Sequence, residues 1–311
     1  MITRILPLLS LVAFSFASAG TVQLVVPTYD YTPGNASNTE GSGIANSGTN
    51  VGQYNHNATY GSFTRSKKGH FSRPILFPGA DVTNATGINI SGLVCGSFDV
   101  NVRGMAQNTN GAGSPERPEN IIVTHGFFFD GTTYTQFDLP GFDNTYVTGV
   151  NDAGDFCGYG STMEGFHTGF VSIGGVITTF SGPAGVTISP LAINNLGQVV
   201  GYYNPPDSAH GFFRAADGTL TNPIDYPNAV YTTLTGINDA GLIVGWYRNI
   251  AFVTSGMVVQ NFNLFTSYDH PDAANNQTLF QGVNNSNLIS GYYQVDASGS
   301  GNHAFIARFG R

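Results

Sequence analysis

The chain has 311 residues, of which 10% are charged and 41% are hydrophobic, and its formal net charge is −8. Its one cluster of basic residues is Arg65, Lys67 and Lys68, which argues against a nucleic-acid or anionic-lipid partner. Gly, Asn, Thr, Ser, Tyr and Phe are abundant, a composition typical of short β-strands joined by tight turns.

The first nineteen residues have the pattern of a secretory signal peptide. Arg4 provides a positive start, Ile5 to Phe16 form an apolar core, and Ala17–Ala19 is a small-residue cleavage site before Gly20. The apolar run is too short to span a bilayer, and no other stretch is long and apolar enough to do so. We therefore predict a chain that is secreted, or exported to a periplasm, after cleavage near Ala19.

A short phrase recurs six times along the rest of the chain. It consists of Gly or Ala, an aliphatic residue and usually Asn, followed by a Gly turn and a Val-x-Gly-x-Tyr-like segment. The repeats start near residues 43, 87, 149, 192, 236 and 282. Four of the five intervals lie between 43 and 46 residues, the length of a four-stranded propeller blade.

The fifth repeat serves as a template for the four strands. Residues 232–238 predict the first strand, a turn at 239–241 follows, and 242–247 predict the second strand. Residues 251–253 predict the third strand and 257–268 the fourth, which ends in an aromatic-Asp-x-Pro element that Pro should terminate.

The two ends of the chain complement each other. The sixth repeat stops after its third strand at Arg311, whereas residues 22–34 resemble a fourth strand with no repeat before it. An open solenoid would instead need capping repeats at both ends. We therefore predict one all-β domain over residues 20–311. It is a six-bladed β-propeller with four-stranded antiparallel blades, closed by the N-terminal strand that completes the last blade.

The third-strand phrase resembles the HAF-type extracellular repeat, named for a His-Ala-Phe tripeptide. That tripeptide occurs at residues 303–305, with His-Gly-Phe variants at 210–212 and 125–127. The first repeat departs from it at 60–63, the third at 167–170, and the fifth lacks the His at 250–252. The resemblance covers roughly residues 40–311. It implies a secreted bacterial β-repeat protein and transfers no catalytic motif.

Three histidines, His125, His210 and His303, share one position of the repeat. Equivalent residues of different blades lie on a wide ring and cannot converge on one zinc ion. We expect structural histidines, bonded to a loop carbonyl or to the Asp of the aromatic-Asp-x-Pro element. The Asn-Asp-x-Gly turns at 151–154 and 238–241 lack the ligand spacing of a calcium loop, so we predict no metal site and no cofactor.

Cys95 and Cys157 are the two cysteines of the chain. An even count in an exported protein suggests a disulfide, but equivalent positions in adjacent blades are expected to be too far apart for one. We favour free buried thiols over a bridge.

One interval is about 18 residues longer than the others, which places an insertion at residues 99–120, between the second and third strands of the second repeat. It contains Arg103, Glu116, Arg117 and Glu119. Variable loops on a rigid scaffold often bind ligands, so these four residues are the candidate binding residues. The alternative is a surface excursion without function.

We predict a monomeric binding or surface-interaction module. Its partner would be an extracellular carbohydrate or cell-surface component, because Tyr, Phe and Asn suit stacking on sugars and hydrogen bonding to them. The alternative is an extracellular polysaccharide hydrolase or lyase with a site in the central channel. An enzyme should place charged residues at first-strand positions that face the axis, and the strands around Thr145 and Leu234 offer mainly Thr and apolar residues.

Overall fold

The computed structural model describes residues 20–32, 38–56, 59–105, 118–274, 277–295 and 301–310. Within these ranges the chain is all β, with 23 strands in four four-stranded antiparallel sheets and one seven-stranded sheet. The predicted signal peptide lies outside the described residues. The all-β class and the four-stranded antiparallel sheet predicted from the repeats are both confirmed.

The third, fourth and fifth repeats each form one sheet of four consecutive strands. The third contains β9 (Asn144–Val150), β10 (Phe156–Ser161), β11 (His167–Ile173) and β12 (Val176–Phe180). The fourth contains β13 (Thr187–Ile193), β14 (Val199–Asn204), β15 (His210–Arg214) and β16 (Leu220–Ile224). The fifth contains β17 (Tyr231–Ile237), β18 (Ile243–Arg248), β19 (Thr254–Gln260) and β20 (Leu264–Tyr268).

The sheet of the sixth repeat contains a strand from the other end of the chain. Its own strands are β21 (Thr278–Val283), β22 (Leu288–Gln294) and β23 (Asn302–Gly310), and β1 (Thr21–Tyr29) lies beside β23. β1 runs antiparallel to β23, with Thr21 opposite Gly310 and Tyr29 opposite Ala304. The N-terminal strand thus takes the place of the fourth strand that the last repeat lacks.

The first repeat differs from the prediction because it has three strands instead of four. They are β2 (Asn38–Ile44), β3 (Asn50–His56) and β4 (Thr59–Arg65). Residues 66–81 follow in place of a fourth strand and make only single bridges to β4, at Ile75 and Phe71. Pro74 and Pro78 lie in this segment and cannot donate to a ladder. One parallel residue pair, Tyr60 with Val82, joins β4 to the second repeat and produces the seven-stranded sheet.

The second repeat contains β5 (Val82–Ile88), β6 (Val94–Met105), β7 (Pro118–Phe129) and β8 (Tyr134–Phe137). β6 and β7 have twelve residues each and pair continuously from Val94 opposite Phe129 to Met105 opposite Pro118. Residues 99–105 and 118–120 of the insertion therefore extend this hairpin, and the rest of the insertion lies outside the described residues.

The strand prediction for the second half of the fifth repeat was wrong. Residues 251–253 belong to a turn in which Phe252 has a φ of +62° and is 72% exposed. The third strand is β19, and Met257, predicted to open the fourth strand, lies in its middle opposite Gly245. The fifth repeat lacks the His-Gly-Phe signature that marks the third strand, and the apolar turn at 251–253 resembled a strand.

A glycine in each second strand makes room for the core. At Gly158 an added Cβ would lie 1.9 Å from the carbonyl oxygen of Tyr146 and 2.9 Å from the ring of Phe170. Phe170 is fully buried, and the rings of Phe63, Phe127, Phe212 and Phe305 cover the equivalent glycines in the same way. The Val-x-Gly-x-Tyr phrase is therefore a packing signature, because any side chain there would displace the third-strand ring.

A second set of glycines brings the first strands of neighbouring repeats together. A Cβ on Gly87 would lie 3.3 Å from the Cα of Gly149, and one on Gly149 would lie 3.0 Å from the Cα of Ala192. A Cβ on Gly282 would likewise lie 3.2 Å from the Cα of Gly43. The first strands of the first and sixth repeats are therefore direct neighbours, although 239 residues separate these glycines.

Candidate functional site

One end of the first strands is held by a chain of asparagine side chains. Each Nδ2 donates to the carbonyl of the equivalent residue in the next repeat, at 3.0 to 3.1 Å; the donors are Asn89, Asn151, Asn194, Asn238 and Asn284. Each Oδ1 accepts two N–H groups of its own turn. The last carbonyl is that of Ala45, which stands where the other five repeats have Asn. This asparagine, predicted to serve the turn, also links neighbouring repeats.

In five of the six repeats the next residue of the turn is polar, and these residues form a polar rim at this end; the second repeat has Ile90 there. The Asp152 carboxylate accepts from the side chains of Asn46 and Asn195 at 2.7 and 3.0 Å. The Asp239 carboxylate accepts from the side chains of Asn195 and Asn285. Burial would raise the pKa of Asp239, but these amide donors outweigh burial and lower it. Both carboxylates are therefore bonded within the rim and join neighbouring repeats.

An apolar collar follows below the asparagines. It consists of one buried aliphatic side chain from each repeat, namely Ile44, Ile88, Val150, Ile193, Ile237 and Val283. The next layer is mostly hydroxylic, and Thr86, Thr148 and Thr235 each donate to a carbonyl of the following repeat at 2.7 to 3.1 Å. Neither layer provides a charged group.

The opposite end of the first strands opens into a cavity of about 140 Å³ that contains Glu40. Residues of β2, β3, β5, β9, β13, β17, β21 and β22 line it, among them Gln53, Gln281 and Tyr292. Glu40 is the one charged side chain among the described residues of this lining. It lies four residues before the collar on β2, which is about 13 Å along an extended strand.

Glu40 also lines a second cavity, a lateral cleft of about 140 Å³. Gln53 is shared with the first cavity, and the other lining residues are amides and tyrosines, namely Asn38, Tyr54, Asn55, Tyr60, Asn84 and Asn302. Asn302 is 6% exposed and its Nδ2 donates to Glu40 Oε1 at 2.6 Å. We call the two cavities together the Glu40 site.

The electrostatics of the Glu40 site follow from burial. Burial raises the pKa of Glu40, and the hydrogen bond from Asn302 opposes that shift only in part. Burial also raises the pKa of Tyr292, and the nearby Glu40 charge adds to the shift. A carboxyl group with a raised pKa beside neutral amides suits recognition of a neutral polar ligand.

One acceptor in the Glu40 site lacks a protein partner. Among the described residues, the buried Oδ1 atom of Asn302 has no hydrogen-bond donor, while the backbone N–H of Asn302 donates to Asn38 Oδ1 at 3.0 Å. A buried acceptor without a donor costs about 1–3 kcal/mol. A ligand donor that reached this atom would remove this cost.

A stack of aromatic rings occupies the third repeat at the level of Glu40. Tyr159 stacks on Tyr146 and on His167, with ring centroids 4.6 Å apart in both pairs. Burial raises the pKa of Tyr159 and lowers that of His167, whose Nδ1 lies 3.0 Å from Ser189 Oγ in the fourth repeat. These rings extend the polar and aromatic character of this end beyond the Glu40 site.

The structure describes the backbone of two of the four predicted binding residues. Arg103 and Glu119 lie on the β6–β7 hairpin, where Arg103 pairs with Asn120 and Glu119 pairs with Gly104. Glu116 and Arg117 lie outside the described residues. A binding role for these four residues remains a prediction.

The three repeat histidines each bond to an aspartate through Nδ1 at 2.7 Å. The pairs are His125 with Asp138, His210 with Asp225 and His303 with Asp30. The expected bond to the Asp of the aromatic-Asp-x-Pro element is therefore confirmed. In the third pair the Asp follows β1, so the N-terminal segment provides the aspartate that the sixth repeat lacks.

Cys95 and Cys157 are both free and fully buried. Burial raises the pKa of both thiols, that of Cys157 to about 12. Among the described residues, no cluster of three His, Cys, Asp or Glu side chains could hold a metal ion, and no helix is long and apolar enough to cross a membrane.

Neither Glu40 nor Asn302 was among the residues predicted from the sequence. A signal for Glu40 was available, because the residues four positions before the collar are Glu40, Asn84, Tyr146, Ser189, Thr233 and Leu279, and only the first is charged. The sequence comparison used Thr145 and Leu234, and each of them is one residue away from the position equivalent to Glu40. Asn302 gave no signal, since its contact to Glu40 spans 262 residues of sequence.

Comparison with known proteins shows the fold but no family. No family model and no curated protein sequence matches the chain. A TolB-like protein from Agrobacterium tumefaciens aligns at a TM-score of 0.53 and 12% identity, over 88% of this chain and 90% of that one.

Two further solved structures are less similar. Virginiamycin B lyase from Staphylococcus aureus aligns at a TM-score of 0.48 and 13% identity, over 93% of this chain and 99% of that one. A fucose-specific lectin from Aleuria aurantia gives 0.44 and 10%, over 75% and 77%. The structural neighbours are β-propellers, and this chain is a propeller module of the same general kind.

Proposed function

We propose that the chain is an exported, closed, six-bladed β-propeller of the HAF-repeat type. The six-fold phrase, the asparagine links that run as far as Ala45, and the contact between Gly282 and Gly43 support closure. The signal-peptide pattern of the first nineteen residues supports export. N-terminal sequencing of the protein from the medium or periplasm tests the location, and the expected first residue is Gly20.

We propose further that this propeller binds an extracellular carbohydrate in the Glu40 site. The observation that carries the proposal is the buried Oδ1 of Asn302, which has no hydrogen-bond partner in the described part of the chain and lies beside the Glu40 carboxyl group in a cleft of amides and tyrosines. Sugar hydroxyl groups can donate to Asn302 and accept from neighbouring amides. The ring of Tyr60, which is 45% exposed, offers an apolar face on which a pyranose can stack.

The lining favours binding over hydrolysis. Most glycoside hydrolases use two carboxyl groups on either side of the scissile bond. The described residues that line the two cavities include one, Glu40. This supports a binding module over the alternative of a polysaccharide hydrolase acting in the channel.

A glycan array followed by calorimetry with the best glycan tests the proposal. Asn302→Ala and Tyr60→Ala should each weaken binding at least tenfold, because each loses a direct ligand contact. Asn204→Ala, which changes an exposed asparagine at the end of β14, is the matched control and should bind like the wild type. Full affinity in Asn302→Ala would refute the site. Release of reducing or unsaturated sugar products would favour the enzyme alternative.

A further inference from the structure

The His–Asp pair of the fourth repeat has a third member. Ser208 Oγ lies 3.2 Å from His210 Nε2, while His210 Nδ1 lies 2.7 Å from Asp225 Oδ2. In the second and sixth repeats the residue two positions before the histidine is Val123 or Gly301, and neither carries a hydroxyl group. The fourth repeat alone of these three therefore places a serine on the free nitrogen of a carboxylate-bound imidazole.

The positions of the protons on His210 and Ser208 follow from the hydrogen-bond partners of the His210 ring. A carboxylate can only accept, so the Nδ1–H of His210 donates to Asp225. When the ring carries this one proton, its lone pair is on Nε2, and the Ser208 hydroxyl donates to it. Asp225 is itself oriented, because its other oxygen accepts the N–H of Gly211 at 3.3 Å. This is the order of nucleophile, general base and orienting carboxylate used in acyl transfer.

The three groups are held in place and reach solvent. Ser208 precedes Ala209, which forms a parallel bridge to Tyr231 and accepts the N–H of Thr232 at 2.8 Å. The side chains of His210 and Asp225 are 31% and 28% exposed. A substrate can therefore approach from solvent while the fifth repeat fixes the loop that carries Ser208.

We propose that Ser208, His210 and Asp225 form an acyl-transfer site that hydrolyses small, accessible carboxylic esters, such as an acetyl group on a larger carrier. Ser208 Oγ attacks the carbonyl carbon as its proton moves to His210 Nε2. The C–O bond to the alcohol then breaks, and the alcohol leaves with that proton. Water adds to the acyl-serine, passes a proton to Nε2 and releases the acid, and the proton returns to Ser208. Asp225 stabilises the transient imidazolium.

This site is independent of the Glu40 site and of the carbohydrate proposal. It would use a different repeat, a different ligand chemistry and a covalent intermediate. Failure of glycan binding would leave it untouched, and the absence of ester hydrolysis would leave the Glu40 site untouched.

Labelling with a fluorophosphonate probe tests the site, because attack by Ser208 on phosphorus displaces fluoride and leaves a stable adduct. We expect the adduct on Ser208 by peptide mass spectrometry, and hydrolysis of p-nitrophenyl acetate that Ser208→Ala reduces at least about 100-fold, the usual scale for losing such a group. Asp225→Asn should lower both readouts while keeping the side-chain shape. His303→Ala breaks the equivalent pair in the sixth repeat and should leave both unchanged.

Three outcomes would overturn the proposal. They are the absence of an adduct on Ser208, ester hydrolysis that survives Ser208→Ala, and labelling that is unaffected by Asp225→Asn. Circular dichroism and thermal melting of each variant confirm that it is folded. Ser208→Ala changes a loop hydroxyl and should melt like the wild type.

Discussion

The link from Asn284 to Ala45 offers a direct test of how the repeats are joined. Asn284 is 3% exposed; its Nδ2 donates to the Ala45 carbonyl at 3.0 Å, and its Oδ1 accepts the N–H groups of Ser286 and Leu288 at 2.9 and 3.0 Å. Asn284→Ala removes all three hydrogen bonds. At about 0.5–1.5 kcal/mol for each bond, we expect a loss of roughly 1.5–4.5 kcal/mol in the free energy of unfolding.

A second variant separates the turn from the link between repeats. Asn284→Asp keeps an oxygen for the two turn N–H groups but replaces the donor to Ala45 with an acceptor, so a carboxylate would face a carbonyl. We expect Asn284→Asp to be at least as unstable as Asn284→Ala near neutral pH. Asn204→Ala, at an exposed position, should stay within about 0.5 kcal/mol of the wild type.

Urea unfolding followed by fluorescence measures the three free energies, with the slope checked for a change in cooperativity. An Asn284→Asp variant as stable as the wild type would show that the asparagine serves only its own turn. An Asn284→Ala variant within 0.5 kcal/mol of the wild type would refute the whole reasoning.

Three further predictions concern packing and pH. Gly158→Ala should lower the free energy of unfolding by about 1–3 kcal/mol or more through overpacking, whereas Gly310→Ala, where an added Cβ has no neighbour within 4 Å, should be neutral in the same urea assay. Because burial raises the pKa of Glu40 above its ordinary value of 4.5, Glu40→Gln should be more stable than the wild type at pH 7. This difference in stability should vanish below pH 4.5. A Glu40→Gln variant that is only as stable as the wild type at pH 7 would contradict the prediction. Burial lowers the pKa of His270 below its ordinary 6.5, and its Nε2 bonds to the Pro27 carbonyl. The stability that neutral His270 contributes should therefore be complete above pH 6.5 and decline as the pH falls. The melting temperature should fall with pH over this range, and His270→Gln should lessen that dependence.

The sequence alone predicted the all-β class, the four-stranded sheets and the place of the N-terminal strand beside the last repeat. It could do so because strand alternation and turn glycines are local properties, and the position of each strand within the repeat is a periodic one. The same reasoning failed where a local pattern was ambiguous. The apolar turn around Phe252 resembled a strand, and the prolines at 74 and 78 left the first repeat with three strands.

The sites depend on contacts that sequence distance hides. Glu40 meets Asn302 from the far end of the chain, across 262 residues of sequence. The bond between His210 and Asp225 was predicted from the repeat, but the contact of Ser208 with the other ring nitrogen of His210 was not. Repeats specify which positions face the same way, because each repeat uses the same backbone path. Only the tertiary structure decides which side chains that depart from the repeat pattern become neighbours. At the Glu40 site, the close approach of the first and last repeats creates both the burial of Glu40 and its hydrogen bond to Asn302.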